Sequence, residues 1–273
     1  MLTTWHAFML GLIQGLTEFI PVSSSGHMKL YQFIYSLEET PLTFDIMLHV
    51  GTLIAVAVVY WRYIWDMIRH PLASDLKWLI VATIPAVAAT VLFGDIVDAV
   101  SDGRYLGISF LLTCAVLLIA EAIAHVKEKH HGKVTAKDAL VMGVMQAFAI
   151  MPGLSRSGST LSGGLATGMT RKRAADFAFM MSMPAILGAA VMSLKDLKDA
   201  ADAASVSFGT QISVFVEQLG GINIVLVGFF TAMISGFIAI KFMLVLIQKT
   251  SLRWFSLYTG LLSGIVIIWQ MLK

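Results

Sequence analysis

The sequence predicts an all-α polytopic membrane protein, with six spanning helices and two re-entrant helix pairs in an inverted-topology repeat. Three observations carry this. Of 273 residues, 58% are hydrophobic and only 13% charged, against about 25% charged in an ordinary soluble domain. Apolar stretches recur along the whole chain, so residues 1–273 read as a single integral membrane domain. Two short segments also match each other and interrupt the apolar pattern alike: Gly11-Leu12-Ile13-Gln14 with Gly143-Val144-Met145-Gln146, and Ser23-Ser24-Ser25-Gly26 with Ser155-Arg156-Ser157-Gly158.

Taken in order, Trp5–Ile20 has 16 residues, about 24 Å of helix. That is too short for a hydrocarbon core of about 30 Å. A Pro-Val-Ser-Ser break follows, and residues 25–37 return as a second short helix. Residues 42–65, 77–99 and 104–126 are each long enough to span. The short–break–short arrangement then recurs as 136–151 and 157–168 around Pro152-Gly153-Leu154-Ser155. The last three spans are 173–193, 221–246 and 253–272, making ten helical pieces. Each short pair reads as a hairpin with its tip at membrane depth, where irregular backbone is tolerated only in a protein interior or wet cavity. Repeat one then covers about 5–126 with its tip at 20–27, and repeat two about 136–272 with its tip at 152–160. Leu76-Lys77-Trp78 and Leu252-Arg253-Trp254 give a weaker match at a different offset.

Charge sets the orientation. If the first hairpin enters from one face, Lys29, Arg104, Lys195, Lys198 and Lys273 lie on that face. The other collects Arg62, Arg69, Lys77, Lys127, Lys129, Lys133, Lys137, Arg171, Lys172, Arg173, Lys249 and Arg253, twelve against five. By the positive-inside rule the richer face is cytoplasmic. Both termini and the first tip are then extracytoplasmic, and a functional site is expected near the midplane where the halves meet. The net charge of +2 excludes a nucleic-acid face. The single cysteine, Cys114, allows neither a disulfide nor a cysteine metal site. The N-terminal segment, with no Lys or Arg before its apolar run and no small-residue cleavage site, reads as mature chain and not as a signal peptide.

Ionisable residues at membrane depth cost roughly 2.5–3.5 kcal/mol on insertion scales, so each is a functional candidate. Glu18 and His27 lie in the first tip and Arg156 in the second. Asp45, Asp176, Glu121 and Lys241 lie nearer helix ends. Gln14 and Glu18 are four apart and share a helix face. Pro21 ends that helix, and the serine run caps the next, with its N–H groups toward the midplane. Ser24 and His27, three apart, can place an imidazole base beside a hydroxyl. Pro152 to Thr160 opens another helix N-terminus and adds a guanidinium. Two such N-termini with hydroxyls and Arg156 suit a phosphate or diphosphate. Glu18 beside them suits a divalent cation bridging phosphate oxygens.

At these residues the chain resembles the undecaprenyl-diphosphate phosphatase (bacitracin-resistance protein) family. The first tip is similar to that family's Glu/Gln-x-x-x-Glu segment with its following Ser/His motif, and Pro152 to Thr160 to its PGxSRSxxT motif. The resemblance implies hydrolysis of the polyprenyl diphosphate carrier to monophosphate and inorganic phosphate, serving cell-wall synthesis. It implies a divalent cation (Mg2+ or Ca2+) and a site open to the outer face of the bacterial cytoplasmic membrane. It also implies roles: Glu18 for metal or proton transfer with Gln14 supporting it, Ser24 as nucleophile, His27 as its base and Arg156 as phosphate clamp. Ser155, Ser157 and Thr160 would be hydroxyl donors, with Ser25 and Gly26 beside the substrate. Gln14 departs from the glutamate of many relatives, which leaves any essential carboxylate role to Glu18.

Plainer readings stand beside these. Ser23, Ser159, Ser162, Gly163 and Gly164 suit helix packing. Ser25 or water replaces Ser24 as nucleophile in the alternatives. Arg156 has a second reading as a structural counter-ion to Glu18, and His27 as a hydrogen-bonded core histidine. Asp45 and Asp176 suit caps or pairing with nearby bases, and His130 and His131 a solvated loop. The rival function is a transporter or flippase for polyprenyl phosphates, since broken helices in inverted repeats are a transporter pattern. The partners expected are the lipid substrate and the bilayer, with a homodimer left open.

Overall fold

The computed structural model describes residues 2–37, 42–99, 102–126 and 131–272, without the side chains of Leu42 and Asp98. Lys127, Lys129, His130 and Lys273, which entered the charge and loop readings, lie outside those residues. Among the described residues the chain is helical apart from its connections, with one isolated bridge between His131 and Met169.

The two hairpins form where the apolar pattern breaks. The first is α1 (Thr4–Glu18) and α2 (Ser24–Ile34). With α3 to α6 named below, the second is α7 (Ala136–Phe148) and α8 (Arg156–Thr167). A hydroxyl caps every arm: Thr3 accepts from His6 N–H, Ser23 from Gly26, Thr135 from Asp138 and Ser155 from Gly158. Such caps satisfy N–H groups that lipid cannot.

The long helices are α3 (Leu42–Val59), α5 (Leu76–Ala99), α6 (Leu106–Val126), α9 (Arg171–Ala203), α11 (Ile222–Lys249) and α12 (Arg253–Met271). Five of them are long and apolar enough to cross a membrane. A sixth span results if α3 is taken with α4 (Trp61–Arg69).

Two elements differ from the ten pieces expected. The stretch 42–65 is not one straight helix: α3 stops at Val59 and α4 leaves it at 75°. α4 exposes Trp61, Trp65 and Ile68, and Arg62 and Arg69 lie over the two indole rings at 5.3 and 4.8 Å. Basic side chains on aromatic rings suit the headgroup level better than hydrocarbon. Beyond 193, α9 continues to Ala203, and α10 (Phe208–Leu219) folds where the hydropathy shows no span. α10 buries Phe215 and Leu219 against α9 and α11.

α1 packs along α11 and α7 along α5, while α6 packs along α12. In lipid this association depends on close backbone approach rather than apolar burial. Gly15 shows it: a Cβ there would overlap Ser235 Oγ and stand 2.6 Å from Ala232 O. Gly11 faces Gly228 in the same way, and Gly143 faces Ala82. In the weaker match, Leu76-Lys77-Trp78 lies at the start of α5 and Leu252-Arg253-Trp254 at the start of α12.

Candidate active site

The two hairpin tips meet, and Glu18 is where they do so. α1 ends at Glu18, and Pro21 prevents its continuation. The chain then turns through Ser23, whose φ of 74° is costly for any residue but glycine. Its hydroxyl holds the Gly26 N–H at 3.2 Å. That turn brings Ser24, the first residue of α2, back over the end of α1. Ser24 Oγ donates to Glu18 Oε2 at 2.5 Å, and Gln14 Nε2, one turn earlier in α1, donates to the same oxygen at 3.0 Å. Arg156, the first residue of α8, pairs through Nη2 with Oε1. His49 of α3 brings Nε2 to 3.7 Å from Oε2. Gln14 and Glu18 are both buried, at 0% and 6% exposure.

The second tip is fixed from three sides. Gly153 takes a φ of +85°, which favours glycine, and a Cβ there would stand 2.8 Å from Ser109 Cβ. The Ser155 N–H donates to Thr113 Oγ1 of α6 at 3.1 Å. Toward the first tip, Gly153 N–H donates to Ser25 Oγ at 3.3 Å and Ser157 Oγ donates to Ile20 O at 3.1 Å. Ser155 Oγ caps α8 by accepting from Gly158 N–H at 3.0 Å. Thr160 Oγ1 donates to Arg156 O within its own helix at 2.9 Å. Gly26 fits because a Cβ would press 2.7 Å from the Phe110 ring.

Ser24, Glu18, Gln14 and Arg156 therefore converge as the sequence suggests, and the Glu18–Arg156 ion pair of the plainer reading is formed. His27 and the remaining hydroxyls make other contacts. His27 does not reach Ser24. Its Nδ1 lies 2.7 Å from Ser23 O, and a carbonyl can only accept, so Nδ1 carries the proton. Its Nε2 lies 2.7 Å from the Tyr258 hydroxyl, whose ring stacks on the imidazole. Both nitrogens are thus engaged, and the group beside the Ser24 hydroxyl is the Glu18 carboxylate. Ser25 bonds the second tip rather than Glu18. Ser155, Ser157 and Thr160 use their hydroxyls for a cap, a tip-to-tip bond and a helix back-bond.

The remaining charged candidates lie elsewhere. Asp176 accepts from Tyr60 OH at 2.8 Å and pairs with Lys172 at 3.4 Å. Asp45 stands in the first turn of α3. Glu121 binds Arg171 Nη2 with both oxygens at 2.7 Å, and Lys241 lies over the Phe237 ring at 4.3 Å. Gly163 and Gly164 pack against Met142, as small packing residues do. His131 bonds the Lys133 carbonyl at 2.8 Å.

Sequence reasoning missed His49, Thr113 and Tyr258. His49 carried a signal, because it is an ionisable residue inside an apolar run. Thr113 and Tyr258 carried none, since serving a hairpin tip from a distant helix leaves no local pattern.

Chemically, the site places a hydroxyl on a carboxylate, between two helix N-termini and a guanidinium. This suits attack on a phosphorus held as an anion. Among the described residues no three His, Cys, Asp or Glu side chains gather to hold a metal. Gln14 Oε1 is nevertheless buried with no hydrogen-bond partner beside Glu18, so an oxygen donor stands uncommitted there.

Residues 7–266 match the family described as bacitracin resistance protein BacA. The chain is 40% identical to an undecaprenyl-diphosphatase of Carboxydothermus hydrogenoformans, over 98% of each chain. It is 36% identical to an undecaprenyl-diphosphatase of Caldicellulosiruptor bescii, over 100% of this chain and 99% of the relative. With undecaprenyl-diphosphatase 4 of Bacillus thuringiensis subsp. konkukian the identity is 38%, over 97% of this chain and 96% of the relative. A match of this extent, with both tips inside it, means that the chain belongs to the BacA bacitracin resistance protein family.

Proposed function

We propose that this chain is a membrane phosphatase hydrolysing undecaprenyl diphosphate to undecaprenyl phosphate and inorganic phosphate, which returns the lipid carrier to cell-wall synthesis. The observation that carries this is the Ser24 hydroxyl donating to Glu18 Oε2 with Arg156 on the other carboxylate oxygen.

Ser24 Oγ attacks the terminal phosphorus, and its proton passes to Glu18 Oε2, which it already touches. The bond from phosphorus to the bridging oxygen breaks, and undecaprenyl phosphate leaves. Glu18 gives up that proton with the leaving undecaprenyl phosphate. Water then attacks the phosphoserine, passing a proton to Glu18, which returns it to Ser24 Oγ as the bond from Oγ to phosphorus breaks and phosphate departs. Arg156 and the N-termini of α2 and α8 hold the equatorial oxygens, the main demand of phosphoryl transfer. Gln14 orients Glu18, and His27, held by Tyr258 and the Ser23 carbonyl, supports the strained turn that presents Ser24. A divalent cation, Mg2+ or Ca2+, fits the donors present: Glu18 and the uncommitted Gln14 Oε1 would hold it. It would supply neutralising charge to phosphate oxygens.

The reciprocal packing of α1 on α11 and α7 on α5 supports an internal duplication whose hairpins enter from opposite faces. In the second copy Arg156 stands at the position matching Ser24, and Ile150 at that matching Glu18. One copy thus carries the nucleophile and base, and the other supplies the clamp. The Lys and Arg asymmetry supports the cytoplasmic membrane as location, with both termini and the site extracytoplasmic. Transport of polyprenyl phosphates is not favoured, because it needs no serine held on a carboxylate.

Phosphate release from a long-chain prenyl diphosphate in detergent tests the reading. Ser24→Ala is expected to lose turnover while Ser25→Ala keeps most of it. Full activity in both variants would end the case for a serine nucleophile.

A further inference from the structure

We propose that His49 is a nitrogen ligand of the cation site, making it a mixed nitrogen–oxygen site of His49 Nε2, Glu18 and Gln14 Oε1 that favours Mn2+ over Mg2+ and Ca2+. The inference deepens the phosphatase reading and rests on it.

Four features of His49 point this way. Its Nδ1 lies 2.8 Å from the Asp45 carbonyl, which can only accept, so Nδ1 carries a proton and the neutral ring presents its lone pair at Nε2. Donation of the second ring N–H to a backbone carbonyl is the usual arrangement of a metal-bound imidazole. Nε2 then faces Glu18 Oε2 at 3.7 Å. This is too long for a hydrogen bond, but it suits two ligands each about 2.1 Å from one ion and roughly 120° apart. Beside them Gln14 Oε1 is fully buried and unpartnered. Its amide orientation is set, because only Nε2 can donate to Glu18. His27 offers no comparable lone pair, since its Nε2 is engaged by Tyr258.

Chemistry sets the preference. An amide oxygen at Gln14 brings no negative charge, so this chain holds a hard cation less strongly than a pair of carboxylates would. An imidazole adds affinity for first-row divalent ions, least for Mn2+ among them, whereas Mg2+ and Ca2+ take oxygen donors. Three protein ligands leave positions open for phosphate oxygens. Phosphate would also draw Arg156 from Glu18 Oε1 and release that oxygen.

Untagged full-length protein in detergent is titrated with Mn2+, with and without inorganic phosphate, following loss of the free-ion electron paramagnetic resonance signal. Pulsed measurements then look for 14N coupling to the bound ion. Expected are 14N coupling in the unmodified chain, tighter Mn2+ binding with phosphate, and at least tenfold weaker Mn2+ binding without 14N coupling in His49→Gln. His27→Gln keeps the coupling. Absent Mn2+ binding, bound Mn2+ without 14N coupling, or coupling that survives His49→Gln would each overturn the proposal. Phosphate release measured on the same samples separates the two readings. Turnover without nitrogen coupling refutes only the His49 ligand, whereas coupling without turnover refutes the phosphatase.

Discussion

Replacing Arg156 by alanine separates its structural from its chemical role. The Arg156 and Glu18 side chains are 23% and 4% exposed, so the substitution leaves a carboxylate buried without its counter-ion. Removing one partner of a buried pair costs about 3–5 kcal/mol. Ser24 and Gln14 still donate to Glu18, which puts the expected cost near the lower end, about 3 kcal/mol. At roughly 2–4 °C per kcal/mol for a chain of this size, the melting temperature in detergent should fall by about 6–12 °C. Adding Glu18→Gln removes the stranded charge and should restore most of that loss. Phosphate release should stay at least on the order of 10^3-fold below the unmodified protein in both variants, because both lack the proposed guanidinium clamp on transferring phosphate and the double variant also lacks the proposed base. Melting curves and turnover on the same preparations read both quantities. A single variant that melts like the parent, or a double variant no more stable than the single, would refute the buried-pair reasoning.

Three further outcomes follow from the geometry. Tyr258→Phe deletes the hydroxyl held by His27 Nε2 while keeping the stacked ring, a loss of about 0.5–1.5 kcal/mol. Melting should fall by about 1–6 °C and turnover by up to about tenfold, and unchanged turnover would mean that His27 needs no such support. Gly15→Ala forces a Cβ against Ser235 and Ala232, so monodisperse protein should be lost on size exclusion. Gly94→Ala, with nothing within 4 Å, should behave as the parent does. Lys133→Cys in a Cys114→Ser background should resist an impermeant thiol reagent applied outside cells; labelling there would invert the proposed orientation.

The residues alone determine a good deal. Hydropathy and the two broken short runs identify the bilayer as solvent and locate both tips. The spacing of Gln14 and Glu18 puts them on one face, and the serine run after Pro21 opens a helix. These are local facts, carried by helical periodicity, caps and chain breaks. Other relations arise only in three dimensions. Which group faces the Ser24 hydroxyl depends on the backbone angle at Ser23, and that turn hands the hydroxyl to Glu18 while His27 goes to Tyr258, 231 residues away. His49 reaches Glu18 only because α3 packs beside α1. The bend at Tyr60 and the fold of α10 depend on packing that no hydropathy window contains. Periodicity orders neighbours along one helix, but contacts across a break are set by dihedral angles and by helices that arrive from distant parts of the chain.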